Sequence, residues 1–402
     1  MKEEATVELV DDSEEMEAEP ELTPAKVSEA VVYSTDWTLE TILSQLTRKN
    51  IDMPEFQRRD AWSKRRKSRY IESLMLGLPV PQIILAEKKD KRGNYLVLDG
   101  KQRLLSILQF TGNDEDSRNN SFKLQGLEIL TELNKRSFDD MNNDIHLRTY
   151  LGPFYNQPIR AVIIRNWPNR AFLYMLFVRL NSETLPLSPQ ELRQALLPGE
   201  FVKFVDEASR KSQAIKILLG LDADEVDLRM RDVELLVRYL AFSFYLSDHK
   251  GRLKDFLDNT CDKLNKSWAE KEGDIRKQVQ VFEDAVKTSV DIFGADKIGR
   301  EWTDEGYAPR MNKAILDVLN FYFSDAKIRK EAKNKAKEVV VAFKRLCVDS
   351  EDFRNSIEST TKSVDATFTR LNLWGKALQD VTGLKFNIPT HENNRINFLS
   401  FW

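Results

Sequence analysis

Asn94 to Phe110, NYLVLDGKQRLLSILQF, is the stretch that decides the fold. Tyr95, Leu96, Val97 and Leu98 form a continuous apolar run of strand length, while Leu104, Leu105, Ile107, Leu108 and Phe110 return at helical spacing. A strand must therefore become a helix between them, and Gly100 stands where the backbone turns. Glycine makes such a turn at no steric cost and lets a ligand approach the main chain. The first N–H groups of a helix have no internal acceptor and carry the positive end of its dipole, which makes the turn an anion site. Lys101 and Arg103 add full charges to it, and a guanidinium can clamp a phosphate through two parallel hydrogen bonds.

Asp99 sharpens the reading. A carboxylate beside a phosphate pocket repels the anion unless a cation bridges them, and magnesium binds through one or two carboxylates plus phosphate oxygens. The alternative stays open at this point: Asp99 as a helix cap, with Lys101 and Arg103 as solvated first-turn residues. On the N-terminal side, Gln82 to Ala86 reads as a strand, Lys88 to Gly93 as a polar turn and Asn94 to Leu98 as the return partner. This hairpin delivers the chain to Asp99.

The whole chain has 402 residues, enough for two or more domains with proper cores. It is 41% hydrophobic and 31% charged, with no apolar run long enough to span a bilayer and no stretch resembling a signal peptide, so a cytoplasmic protein is expected. Cys261 and Cys347 are the only cysteines, which argues against a disulfide framework or a thiolate zinc site. His146, His249 and His391 are the only histidines and lie far apart, too sparse for a histidine-rich metal nuclease. The net charge of −3 hides asymmetry. Residues 1–34 open with a dense acidic run and are expected to be a disordered tail. Arg58, Arg59, Lys64, Arg65, Arg66, Lys67 and Arg69 crowd one stretch that suits either a phosphate backbone or a solvated helix face.

In chain order, Trp37, Leu39, Ile42, Leu43 and Leu46 predict an amphipathic helix over Thr38 to Arg48, and Ile51 to Phe56 an extended segment. Ser63 caps a helix with Tyr70, Ile71, Leu74, Met75 and Leu78 as its buried stripe, ended by Gly77, Pro79 and Pro81. Phe138 to Leu151 suits one helix, Pro158 to Arg165 a strand of the same sheet, and Ala171 to Arg179 a helix. Ser188 and Glu191 form a capping-box pattern. From Pro189 onward the pattern is helical, with stripes such as Ile275, Val279, Phe282, Val286, Val290 and Phe293, or Val364, Phe368, Leu371, Trp374, Leu378 and Val381, that belong in a bundle core. Lys327 to Lys337 reads as a solvated lysine-rich face with DNA contact as the lesser option, and Phe398, Phe401 and Trp402 should dock on this chain or another.

Several separated motifs together resemble one family, the N-terminal domain shared by GmrSD-type restriction enzymes and related bacterial defence proteins, of ParB/sulfiredoxin-like fold. They are Pro54-Glu55-Phe56-Gln57-Arg58 with Trp62, Ile71-Glu72-Ser73-Leu74, Gly77-Leu78-Pro79-Val80-Pro81, and Asp99-Gly100-Lys101-Gln102-Arg103 in the place of the signature DGQQR. Phe177-Val178-Arg179-Leu180-Asn181 and Leu187-Ser188-Pro189-Gln190-Glu191-Leu192-Arg193 follow in order, so the likeness spans about residues 37 to 240. It implies an α+β chain: the acidic tail over 1–34, a small mixed-sheet nucleotide-binding domain over 35–188 and a helical domain over 189–402. It further implies binding and hydrolysis of a nucleoside triphosphate with Mg2+. Asp99, Gln102 and Arg103 would be the catalytic residues, Asp99 the metal ligand, and Gly100, Lys101, Gln102 and Arg103 the phosphate contacts. Gln57, Arg58, Arg179 and Asn181 are further nucleotide-binding candidates. Lys101 departs from the family's glutamine, adding a charge but removing an amide able to position a water.

The first functional expectation is thus a nucleoside-triphosphate-binding and hydrolysing component of a bacterial anti-phage or restriction system. It would act with DNA, or with a nuclease or other effector protein in trans, because the helical half lacks the clustered histidines of an HNH nuclease. The second is a non-hydrolysing, nucleotide-gated module that binds DNA or protein. The third is a nuclease using the ParB-like fold itself, with Asp99 and Glu72 holding the metal. No membrane contact is expected, and a homo-oligomer is compatible with all three.

Overall fold

The computed structural model describes residues 9–10, 23–52, 62–113, 121–180, 188–223, 225–227, 229–358 and 363–402. Contacts divide the chain into two compact units, Glu19–Leu196 and Leu197–Trp402, the latter joined by the short strand β1 (Leu9–Val10). The fold class is α+β, with a mixed sheet in the first unit and a helical second unit.

In the first unit, β2 (Val31–Thr38), β3 (Ile51–Asp52), β4 (Ile83–Glu87), β5 (Tyr95–Asp99) and β6 (Pro158–Arg165) form one sheet in the order β2-β6-β4-β5-β3. The β2/β6 and β4/β5 pairs are antiparallel, while β4/β6 and β3/β5 are parallel. Successive strand residues point to opposite faces, and both faces are covered. Ile83, Leu85, Tyr95, Val97, Ile159, Ala161 and Ile163 enter a core with α2 (Leu39–Thr47), α3 (Lys64–Met75) and α4 (Lys101–Thr111). Their neighbours Ile84, Ala86, Leu96, Leu98 and Ile164 enter a second core with the helices Arg170–Leu180 and Pro189–Leu196, against which Val27 of α1 (Pro24–Val27) also packs. A strand buried on both sides reads as a continuous apolar run, as 95–98 does.

Local signals act where the sequence places them. Ser63 Oγ accepts from Arg66 N–H, and Ser188 and Glu191 close a reciprocal capping box. Four expectations are corrected. β2 starts at Val31, inside the segment assigned to the tail, because it pairs with β6 along its whole length. Leu78 lies outside the buried stripe of α3 and is exposed, since Gly77 takes a positive φ of 70° and ends the helix. Phe138 to Leu151 is not one helix: Asp144 Oδ1 accepts from His146 and Leu147 N–H, an Asx turn that separates Phe138–Asn143 from a 3-10 turn and the helix Leu151–Asn156. The helix Pro189–Leu196, expected at the head of the helical domain, contributes Leu192 to the second core of the sheet.

The second unit is built of helices, the longest described being Trp268–Phe293, in which Ile275, Phe282, Val286 and Phe293 of the expected stripe are buried while Val279 and Val290 are half-buried. Short strands interrupt it, contrary to the expectation that strands end before Pro189. Thr390–Glu392 and Arg395–Asn397 form a hairpin because Asn393 and Asn394 both adopt positive φ, the requirement of a two-residue type I′ turn. The terminal aromatics dock on this chain, Phe398 and Phe401 lying 4.9 and 5.3 Å from the Phe321 ring. The lysine-rich stretch is partly spent on structure: Lys327 lies over the Trp402 ring, Lys333 pairs with Asp291, and Lys335 donates to Val381 O. No helix among the described residues is long and apolar enough to cross a membrane.

Candidate phosphate site at the strand-to-helix turn

The turn forms as its residue types require. β5 ends at Asp99, Gly100 takes φ 99° and ψ 6°, and α4 begins at Lys101. An added Cβ at Gly100 would stand 2.7 Å from Ile83 Cγ2, so both the backbone conformation and the neighbouring strand demand glycine. The carbonyl of Gly100 starts the helix by accepting from Leu104 N–H at 2.9 Å. Leu104, Ile107, Leu108 and Phe110 then anchor α4 in the core beneath the sheet, which fixes its N-terminus in place.

Five of the nominated residues thus come together: Asp99, Gly100, Lys101, Gln102 and Arg103. Asp99 Oδ1 accepts from Gly100 N–H at 2.6 Å, and Asp99 Oδ2 accepts from Arg103 Nη2 at 2.7 Å. The Asp99 side chain keeps 37% of its surface exposed and Arg103 only 12%. Gln102 Oε1 accepts the backbone N–H of Trp62 at 3.3 Å, which ties the start of α3 to the start of α4. Farther along, Lys67 Nζ donates to Gln109 Oε1 at 2.7 Å inside the core, a second tie between these helices. Arg179 lies in the last turn of the helix Arg170–Leu180, exposed, on a helix that packs against β5. Gln57, Arg58 and Asn181 lie outside the described residues.

Two aromatic side chains, Tyr70 within α3 and Trp62 just before it, were not nominated as site neighbours. Tyr70, placed in the core stripe by its spacing, is 8% exposed, and the charge of Arg103 acts on its phenol. Trp62 meets the Tyr70 ring edge-on at 5.9 Å and carries the Arg66 guanidinium 4.4 Å above its own ring. Helical spacing alone marks Tyr70 as core; only its polar tip separates it from Ile71 or Leu74.

Other nominated features are engaged elsewhere. The Glu72 carboxylate, a metal candidate in the nuclease reading, is 5% exposed and accepts the backbone N–H groups of Glu128, Ile129 and Leu130. It clamps a loop and so is removed from the metal candidates. Arg69 pairs with Glu128, and Arg65 packs on Gly126, so these two members of the basic cluster brace the same loop. His146 is exposed, His249 is buried against Phe242 and Phe256, and His391 lies beside Asp365 in the terminal hairpin. Among the described residues no group of three or more His, Cys, Asp or Glu side chains is arranged to hold a metal. A cavity of about 410 Å3 opens in the second unit along one face of the helix Leu253–Lys266. It is lined in part by ion pairs that neutralise one another, Lys263 with Asp248 and Arg252 with Asp255, and none of the signature residues lines it.

Against known proteins, residues 39–198 match the family described as "GmrSD restriction endonuclease, N-terminal domain", a segment that coincides closely with the first compact unit. The match points to a component of a restriction or phage-defence system. No curated protein and no solved structure matches the chain.

Proposed function

We propose that the turn from β5 into α4 binds the phosphates of a nucleoside triphosphate with Mg2+, and that the chain is a nucleotide-dependent component of a restriction or phage-defence system. The observation that carries this reading is the juxtaposition of Asp99 and Arg103 across a left-handed glycine at a helix N-terminus. A carboxylate, a guanidinium and the positive end of a helix within one turn suit a metal–phosphate ligand better than a bare anion or a bare cation. The donor set fits magnesium, which is commonly held by one or two carboxylates plus phosphate oxygens. Asp99 would be its protein ligand, with exposed surface and lone pairs left beyond its two hydrogen bonds. When bound, the ion would neutralise part of the phosphate charge. Arg103 and Lys101 would hold the phosphoryl oxygens and oppose the charge that develops on them during hydrolysis. Gly100 would let the chain approach closely, and Arg179, Gln57, Arg58 and Asn181 would be further nucleotide-binding candidates.

A second reading, a nucleotide-gated module that does not hydrolyse, is favoured by one observation. Gln102, the amide of the signature that remains after Lys101 replaces glutamine, has its Oε1 occupied by Trp62 N–H. An amide so engaged supports helix placement more than orientation of an attacking water. In either reading DNA, or a nuclease or other effector acting in trans, would be the partner.

The test is phosphate release from ATP, GTP, CTP and UTP with Mg2+, with and without DNA, beside a direct binding assay, on the wild type and Arg103→Ala. Turnover that disappears in the variant supports the hydrolase. Binding without turnover supports the gated module. Absence of both from the wild type overturns the nucleotide reading and leaves the turn as structure.

A further inference from the structure

Two polar atoms at this site are buried without a hydrogen-bond partner: the Tyr70 hydroxyl and Arg103 Nε. Buried phenols and guanidinium N–H groups almost always find an acceptor, and an orphan asks for an explanation such as a bound ion, a water or a ligand. The two come from different helices, α3 and α4, whose beginnings are tied by the bond from Trp62 N–H to Gln102 Oε1. Both are donors here. Burial raises the Tyr70 pKa well above that of an ordinary phenol, against the opposing pull of Arg103, so the hydroxyl stays protonated and neutral. The guanidinium is permanently charged and meets Asp99 through Nη2, leaving Nε–H without an acceptor. A pair of donors with no acceptor between them matches a group that only accepts, such as a phosphate oxygen.

We propose that Tyr70 is a phosphate-binding residue, its hydroxyl and Arg103 Nε–H together donating to the oxygens of one bound phosphate group. This rests on the nucleotide reading of the β5–α4 turn and extends it to a side chain outside the signature. Asp99 holds the guanidinium through Nη2. On binding, the phosphate takes Asp99's place as the partner of Arg103, and the Tyr70 hydroxyl gains the acceptor it lacks. Tyr70 then separates anions that reach Arg103 Nε from those that meet only Lys101.

The experiment compares the full-length wild type with Tyr70→Phe and Arg103→Lys by titration calorimetry with MgATP, MgGTP, MgCTP and MgUTP, and by thermal unfolding without nucleotide. Tyr70→Phe keeps the ring against Trp62 and removes only the orphan hydroxyl. The expected result is affinity lower by about tenfold or more for whichever nucleotide binds, the range of a hydrogen bond to a charged group, with an unliganded Tm unchanged or raised. Arg103→Lys, which keeps the charge but lacks the fork, should weaken binding similarly. Equal binding by wild type and Tyr70→Phe overturns the assignment and leaves the nucleotide reading standing. So does a lowered Tm with unchanged affinity, which identifies a hydroxyl satisfied by a structural water. A wild type that binds none of the four overturns both.

Discussion

Replacing Gly100 by alanine probes the turn that everything else depends on. Two penalties add. At φ 99° an L-residue meets its own carbonyl, which costs about 1–2 kcal/mol in the left-handed region. The new methyl would also lie 2.7 Å from Ile83 Cγ2, 3.2 Å from Ile83 Cβ and 3.3 Å from Ile83 Cα. The last of these is backbone, so rotating the Ile83 side chain relieves only part of the overlap. Overpacking of this kind costs about 1–3 kcal/mol. The sum, about 2–5 kcal/mol, is a large part of the ~5–15 kcal/mol that holds a domain together. Because the chain has two units, a readout confined to the first unit resolves a loss of this size best. Hydrogen exchange by mass spectrometry over peptides spanning 95–112, taken at increasing urea, follows this unit alone. With a slope of about 2 kcal/mol per molar, the midpoint for those peptides should fall by about 1–2.5 M. A double-mutant cycle divides the loss. Ile83→Ala removes Cγ2, so its coupling to Gly100→Ala should be about 1–2 kcal/mol in the relieving direction, with the φ penalty left behind. A loss under about 1 kcal/mol, or no coupling, would refute the claim that Ile83 packs on the glycine and that the left-handed turn is obligatory.

Two further outcomes follow from side chains outside the turn. Glu72→Ala should destabilise the first unit by about 2–5 kcal/mol, since it leaves three buried or half-buried backbone donors at 128–130 without their acceptor; exchange protection at those amides should vanish, and unchanged protection would show that the loop holds itself. In the second unit, burial together with the charge and hydrogen bond of Glu358 pushes the Glu301 pKa up from 4.5 to about 7, with Arg354 opposing. The folded state therefore binds more protons than the unfolded chain between these values, and stability falls as pH rises from about 4.5 to 7. Glu301→Gln should remove that slope, and denaturation midpoints at pH 5 and pH 8 that differ as much in the variant as in the wild type would assign the effect to another group.

Much of the first unit was legible because local rules and tertiary context agree there. The apolar run 95–98, the glycine and the 3.6-residue pattern after it leave a strand-turn-helix as the one reading, and β5 and α4 follow it within a residue. The Ser63 and Ser188 caps were legible for the same reason, since their partners lie three residues away. Elements that depend on distant residues were not. β2 carries exposed Val31 and Val32 beside acidic sequence, and only its pairing with β6, over a hundred residues later, makes it a strand. Glu72 looked like a spare carboxylate because the three N–H groups it accepts from are more than fifty residues away. Tyr70 looked like core because its spacing is that of core.

By itself, then, the sequence determined the strand-to-helix turn, its charge pattern and the family resemblance of the first unit, because the turn and each separate motif of the resemblance are read within one or two turns of chain. Only the tertiary structure decided which charges are spent on loops and neighbouring helices and which atoms are left without a partner at Arg103. Burial and hydrogen-bond satisfaction are properties of residues brought together across the chain, and no local pattern encodes them.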